Sequence, residues 1–190
     1  LQSPDAKLHL QQIDVDSLTK SVLGAMDSQD RHRIAVESFV TSFTADATLL
    51  GQACKEVLDN ALTASPGPVL WRFEIVPGRH EPPTRRKPAL DESDYVVITV
   101  INEGELPSHK EDYFEPWSTG NTGRSGSGGS GLGLAITGRI VHLHGGQATL
   151  RQMNSRGEKP YVVLTMKLPL LPPESLLDMR NYPVALSGRS

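Results

Sequence analysis

Cysteine is nearly absent: the 190 residues contain one, Cys54. That excludes an intramolecular disulfide and a cysteine-rich zinc site, and with them a small secreted fold stapled by cross-links. Cys54 reads instead as a small buried hydrophobe in a reducing compartment. Excess positive charge is missing too. Lysine and arginine total 19 and aspartate and glutamate 22, a formal net charge of −3, which argues against a nucleic-acid binder relying on bulk basic charge. No apolar run approaches the roughly 18 residues needed to span a bilayer, and the N-terminal residues lack the basic-then-apolar order of a secretory signal. Internal repeats are absent, as is the Gly-Lys-Ser/Thr of a P-loop. The first residue is Leu1 rather than Met, which points to a piece of a longer protein. The length suffices for one domain with appendages and for a core that needs no cross-link.

What the chain has in abundance is locally clustered glycine. Seven of its 17 glycines fall between positions 120 and 133: Gly120, Gly123, Gly126, Gly128, Gly129, Gly131 and Gly133. Residues 126–131, GSGGSG, satisfy G-x-G-x-x-G, but a dinucleotide fingerprint needs a strand immediately before it and an acidic residue about twenty positions on. Neither is present. A flexible Gly/Ser linker is the plain alternative. A third reading rests on the residues just C-terminal to the cluster: Gly129-Ser130-Gly131-Leu132-Gly133-Leu134 runs straight into an apolar helical pattern. A glycine loop would then deliver unpaired backbone N–H groups to a helix N-terminus, where they and the helix dipole favour an anion such as a polyphosphate.

The rest of the pattern is mixed. LHLQQI (8–13) alternates like a strand, and Asp14 or Asp16 offers an N-cap for a helix through about Ser28. RIAVES and FVTSF (33–43) favour extended structure. Asp46 caps a helix over 47–64, with Leu49, Leu50, Ala53, Cys54, Val57, Leu58, Ala61 and Leu62 on one face and Gln52, Glu56, Asn60 and Thr63 on the other. PVLWRFEIV (68–76) and DYVVITVIN (94–102) read as strands joined by a long Pro- and Arg-rich connection. A helix over 132–144 is stopped by Gly145-Gly146, and QATLRQM and YVVLTMKL come after it as two more strands. Strands and helices without strict βαβ alternation predict an α+β fold with helices on one face of a largely antiparallel sheet.

Four ordered segments carry a resemblance. GSGLGLAI (129–136) looks like the second glycine box of the catalytic, ATP-binding domain of sensor histidine kinases, within the gyrase-like ATPase superfamily. EVLDNAL (56–62) resembles the N box, VINEGELP (100–107) the first glycine box and FEPW (114–117) the F box. The resemblance covers about residues 8–169, with 1–7 as the end of an upstream linker and 170–190 as a C-terminal tail or linker. It implies the Bergerat fold of the GHKL ATPases: a two-layer α/β sandwich, its mixed, mostly antiparallel sheet carrying three helices on one face. ATP would lie between the helices and a mobile lid at about 108–130, with mobility expected across roughly 118–128.

The resemblance also implies roles. Asn60 would bring an amide oxygen to Mg²⁺ on ATP, the remaining hard oxygen ligands coming from the triphosphate and water. Glu56, one helical turn earlier, points the same way. Many kinases carry Asn there, whereas hydrolytic members carry Glu as general base, so this carboxylate could orient a nucleophile or hold magnesium-bound water. Asn102 stands where the family usually has the Asp that accepts from the adenine amino group. A neutral acceptor contributes about 1 kcal/mol against roughly 1.5–3 for a charged one, which predicts about tenfold weaker affinity. Gly104 would let backbone approach the base, in a box contracted at Glu105-Leu106-Pro107. Thr63 and Ala64 replace the usual Lys and Tyr, so one phosphate contact and one adenine-side ring are missing, and Arg124 in the lid is the substitute cation for the γ-phosphate. Phe114 and Trp117 would anchor the base of the lid. Thr119, Gly129, Ser130, Gly131, Leu132, Gly133 and Leu134 complete the expected nucleotide contacts.

None of the six histidines, His9, His32, His80, His109, His142 and His144, lies in the setting of a phospho-accepting helix. The acceptor is therefore expected on a dimerisation domain of the full-length protein outside this fragment, with a response regulator as further partner and no nucleic acid. His142 and His144 read as structural, complementing a helix dipole if charged. The fragment is expected to be cytoplasmic and monomeric, the intact protein a homodimer that can carry an inner-membrane anchor. Two rivals stand beside this reading: a degenerate regulatory module that binds nucleotide without turnover, and a self-contained ATPase with Glu56 as base. FEPW and the short first glycine box argue against the ATPase.

Overall fold

Alternation decides the sheet. In a computed structural model that describes residues 8–78, 94–106, 113–114, 132–154 and 159–170, β4 (Val69–Val76) buries Val69, Trp71 and Phe73 and leaves Leu70, Arg72 and Glu74 part-exposed. Its partner β5 (Tyr95–Glu103) matches it in antiparallel register, Val100 opposite Trp71 and Ile98 opposite Phe73. Before them come β1 (Leu10–Asp14), α1 (Val15–Gly24), α2 (Ser28–Arg31), β2 (Ile34–Ser38), β3 (Ser42–Asp46) and α3 (Ala47–Ala64); after them come α4 (Gly133–Leu143), β6 (Gln147–Met153) and β7 (Tyr161–Pro169). The main sheet has five strands in the order β2-β4-β5-β7-β6. β2 runs parallel to β4 and the other pairings are antiparallel. The predicted α+β sandwich, mixed and mostly antiparallel, is what forms.

One face of that sheet meets α3 and α4, and α1 packs on α3. Leu18 and Val22 of α1, Leu50, Ala53, Cys54, Val57 and Leu58 of α3, and Ile140 and Val141 of α4 join Trp71, Phe73, Ile98, Val100, Leu164 and Met166 in a single core. Trp71 and Phe73 stack in a tilted pair with centroids 5.0 Å apart. The indole Nε1–H of Trp71 has no hydrogen-bond partner among the described residues, a cost of about 1–3 kcal/mol that the burial of the ring outweighs. Cys54 is fully buried, and loss of water pushes its thiol up to about 12. It is a neutral hydrophobe, as its isolation in the sequence suggested.

Helix α3 has the predicted bounds. Asp46 caps it, its Oδ1 accepting from the Thr48 and Leu49 N–H groups at 3.1 and 3.0 Å. Of the predicted apolar face, Leu49 is half-buried and the others are buried. At the other end, Arg33, just ahead of β2, donates to the carbonyls of Leu62, Ser65 and Gly67. It thus supplies the last turn with both donors and positive charge.

Three details differ from the sequence reading. Helix α1 stops at Gly24, not near Ser28, because the Ala25 and Met26 N–H groups turn back to Val22 and Leu23 and the extended Asp27 opens the separate short helix α2. Strand β1 pairs antiparallel with β3 in a two-stranded sheet of its own. Phe39, placed in a strand by its neighbours, is 73% exposed in the turn before β3. Residues 1–7, the connection at 79–93 and the tail from 171 lie outside the described residues. Among the described residues no helix is long and apolar enough to cross a membrane.

Candidate functional site

Register builds a floor. Val100 and Asn102 of β5 stand opposite Leu164 and Val162 of β7, and Leu150 of β6 stands opposite Leu164. These side chains line the sheet side of a cavity of about 280 Å³, with Val57, Asn60, Ala61 and Ala64 of α3 and Leu134 of α4 opposite them and Gly104, Glu105, Leu106 and Tyr113 along its rim. The walls are aliphatic with a few polar groups, the composition of a small-molecule site.

The polar groups have fixed orientations. Asn102 is 5% exposed and its Nδ2 donates to the Glu103 carbonyl at 2.9 Å. Turning the amide over would set oxygen against oxygen, so Oδ1 is the end left to accept from a ligand. Gly104 has φ +155°, a conformation that favours glycine, and its N–H bonds to the Pro160 carbonyl at 2.9 Å. The contracted first glycine box is thereby tied to the start of β7.

At the mouth of the cavity α4 begins, among the described residues, without a side-chain cap. A Cβ on Gly133 would stand 2.6 Å from Glu56 Oε2 and 3.3 Å from Asn60 Nδ2. Glycine is therefore what lets the first turn of α4 lie directly against the carboxylate and amide that α3 presents one turn apart. The sequence-derived residues Glu56, Asn60, Asn102, Gly104, Gly133 and Leu134 come together here, with Leu132 at the helix entrance. Thr63 does not join them: it is exposed and its Oγ1 donates to the Asp59 carbonyl of its own helix at 2.8 Å. On the same surface Lys55 pairs with Asp59, and that hydrogen bond raises the Lys55 pKa. Among the described residues no group of three or more His, Cys, Asp or Glu could hold a metal unaided. The Glu56 carboxylate and the Asn60 side-chain amide beside the start of α4 suit a hard cation that arrives with its own anionic ligands.

Two residues add to the sequence reading. Tyr113 lines the same cavity as Ala64, the position where the resemblance implies a missing ring. Sequence reasoning misses it because the chain around it marks Tyr113 only as the residue ahead of FEPW. His144 is structural, as its place near a helix end suggested. It is 4% exposed, with Nδ1 at 2.8 Å from the Ile140 carbonyl and Nε2 accepting from the Asp46 N–H at 3.0 Å, an arrangement that requires the neutral imidazole. Phe114 packs on α4, where a Cβ on Gly138 would come within 3.1 Å of it. Trp117, Thr119, Arg124, Gly129, Ser130, Gly131 and the rest of the expected lid lie outside the described residues.

Comparison with known proteins fits this geometry. Residues 45–171 match the family described as histidine kinase-, DNA gyrase B-, and HSP90-like ATPase. The chain is similar to the sensor-like histidine kinase SenX3 of Mycobacterium tuberculosis, 28% identical over 182 residues that cover 90% of this chain and 39% of the relative. It thus spans about two fifths of the length of that relative. Among solved structures, mycobacterial sensor histidine kinase MprB superposes with a TM-score of 0.59 at 26% identity, covering 86% of this chain and all of that one. Full-length ShkA in complex with AMPPNP has the same fold, with a TM-score of 0.59 at 20% identity over 90% of this chain and 34% of that one.

Proposed function

The chain belongs to the histidine kinase-, DNA gyrase B-, and HSP90-like ATPase family, and from that premise we propose that it is the Mg-ATP-binding catalytic domain of a two-component sensor histidine kinase, donating the γ-phosphate to a histidine on a dimerisation domain outside this fragment. The observation that carries the reading is the approach of Gly133 to Glu56 and Asn60 at the mouth of an aliphatic cavity that contains Asn102. The cavity suits a purine, Asn102 Oδ1 accepting from its exocyclic amino group while the Tyr113 ring and the aliphatic walls cover its faces. The open end of α4 faces the triphosphate, as an uncapped helix N-terminus favours anions. Asn60 and Glu56 would hold Mg²⁺ through the amide oxygen and through water, and the bound ion supplies compensation for the triphosphate charge. Arg124 would add a cation to the γ-phosphate, and Thr119, Gly129, Ser130 and Gly131 would complete the phosphate contacts. The AMPPNP complex of ShkA, a protein of the same fold, supports an ATP-type ligand.

Phosphoryl transfer of this kind needs positioning and charge neutralisation rather than covalent help from the protein. The acceptor domain, the response regulator, the homodimer and a membrane anchor of the intact protein belong to the same proposal. Titration calorimetry with Mg-ATP tests it: saturable heat at micromolar to millimolar ligand is expected, and neither heat nor a melting shift at millimolar Mg-ATP would overturn it. Asn102→Ala removes the base acceptor and is expected to weaken Mg-ATP binding about fivefold. The same change should narrow the preference for ATP over GTP, because guanine offers a carbonyl where adenine offers an amino group. An unchanged ATP-to-GTP ratio in the variant would remove Asn102 from the base site.

A further inference from the structure

Asp46 and His144 are 98 residues apart and meet in the interior, each 4% exposed. The Ile140 carbonyl can only accept, so Nδ1 of His144 carries the proton; the Asp46 N–H can only donate, so Nε2 is the acceptor. Asp46 is itself a junction. Its carboxylate caps α3 through Thr48 and Leu49 and also accepts from the His9 N–H at 2.8 Å, ahead of β1. The far end of α4 is therefore bonded to the N-cap of α3.

The near end of α4 is placed just as closely, with Gly133 against Glu56 and Asn60. Eleven residues separate Gly133 from His144, about 16 Å of helix, and 10 to 14 separate Asp46 from Glu56 and Asn60, about 15–21 Å. The two helices lie antiparallel with matching spans between their two contacts, pinned at one end by an imidazole and in contact at the other through a glycine. A slip of α4 along α3 would break the imidazole bond and carry the first turn of α4 away from Glu56 and Asn60 together.

Resting on the nucleotide reading above, we infer that His144 is a positioning residue for the phosphate side of the site: its neutral imidazole fixes the register of α4 on α3 and so holds Gly133 against Glu56 and Asn60, about 16 Å away. The base side is built mainly on β5, β7 and α3, with Leu134 its lining residue from α4 among the described residues, and so depends less on that bond. The two halves of the ligand therefore report separately.

His144→Asn keeps an amide N–H in reach of the Ile140 carbonyl but is too short to accept from the Asp46 N–H. It is expected to weaken Mg-ATP binding about fivefold and AMP binding by less than twofold. His144→Gln, whose Oε1 reaches the position of Nε2, is expected to restore the ratio of the two affinities. Both are measured by calorimetry well below the melting temperature. A lower melting temperature in His144→Asn with the Mg-ATP to AMP ratio of the unmodified chain would overturn the inference and leave His144 a packing residue. If the unmodified chain binds neither ligand, the nucleotide reading falls and the inference with it. Should His144→Asn fail to fold, the Asp46 amide resonance of the unmodified chain carries the test: it is expected to shift with Mg-ATP and not with AMP, and an unmoved resonance overturns the inference.

Discussion

Alanine at Gly146 is expected to destabilise the chain by about 3 kcal/mol, at the upper end of the usual cost of overpacking. A Cβ there would lie 2.3 Å from the Lys167 carbonyl oxygen, 2.9 Å from Leu168 Cδ2 and 3.1 Å from Val141 Cγ1. The nearest of these is backbone, and it belongs to β7, which is paired on both sides, with β5 and β6. The turn has no slack to offer. Gly145 sits at φ +74°, its N–H bonds to His142, and the Gly146 N–H bonds to Val141 at 2.9 Å. Alanine must therefore push the α4–β6 turn off the sheet or bend β7. For a domain of this size the loss corresponds to roughly 10 °C in Tm. Gly133→Ala is the contrasting case. Its first clash, at 2.6 Å, is with the free end of the Glu56 side chain, which can swing aside, so Tm should stay nearly constant while Mg-ATP binding falls. Thermal melts of both variants decide the matter: a drop at Gly146 of only a degree or two would mean that the turn relaxes where the geometry says it is held.

That contrast bears on what the sequence could reveal. Local signals were sufficient for α3, because Asp46, the apolar spacing and Ser65-Pro66-Gly67 lie within or beside one continuous segment. They were sufficient for β4 and β5, where alternation marks the buried face, and for the stop at Gly145-Gly146. The parts that escaped are pairings between distant segments. Nothing around Ile34 announces that β2 will lie parallel to Val69 and its neighbours, and nothing around Arg33 announces that it will close the C-terminus of α3. The bond from Asp46 to His144 spans 98 residues. Each partner taken alone has an ordinary local reading, an N-cap and a C-terminal helix histidine. In the site, Glu56 and Asn60 were recognisable as neighbours from helical spacing. Their contact with Gly133 belongs to the packing of α3 on α4, and the place of Tyr113 at the cavity depends on a fold that no spacing rule describes.

Asn60→Ala is expected to reduce phosphoryl transfer from Mg-ATP by about 100-fold, the scale seen when one preorganised electrostatic partner is removed from a reacting centre. Asn60 is exposed on α3, so the fold has little to lose. Surface changes of this kind stay within about 0.5 kcal/mol, and alanine is the better helix former. Tm should hold or rise while activity falls, which separates loss of function from loss of structure. Glu56 gives the comparison. If its carboxylate acts as base toward water, Glu56→Ala should abolish slow ATP hydrolysis; if it serves only to position the metal-bound triphosphate, transfer and hydrolysis should fall in the same proportion. Unchanged hydrolysis in Glu56→Ala would remove the self-contained ATPase. Asn60→Ala with undiminished transfer would instead sink the assignment of the α3 face to the phosphate side. The group lying against the first turn of α4 would then need another role, since Gly133 lies against Asn60 and Glu56.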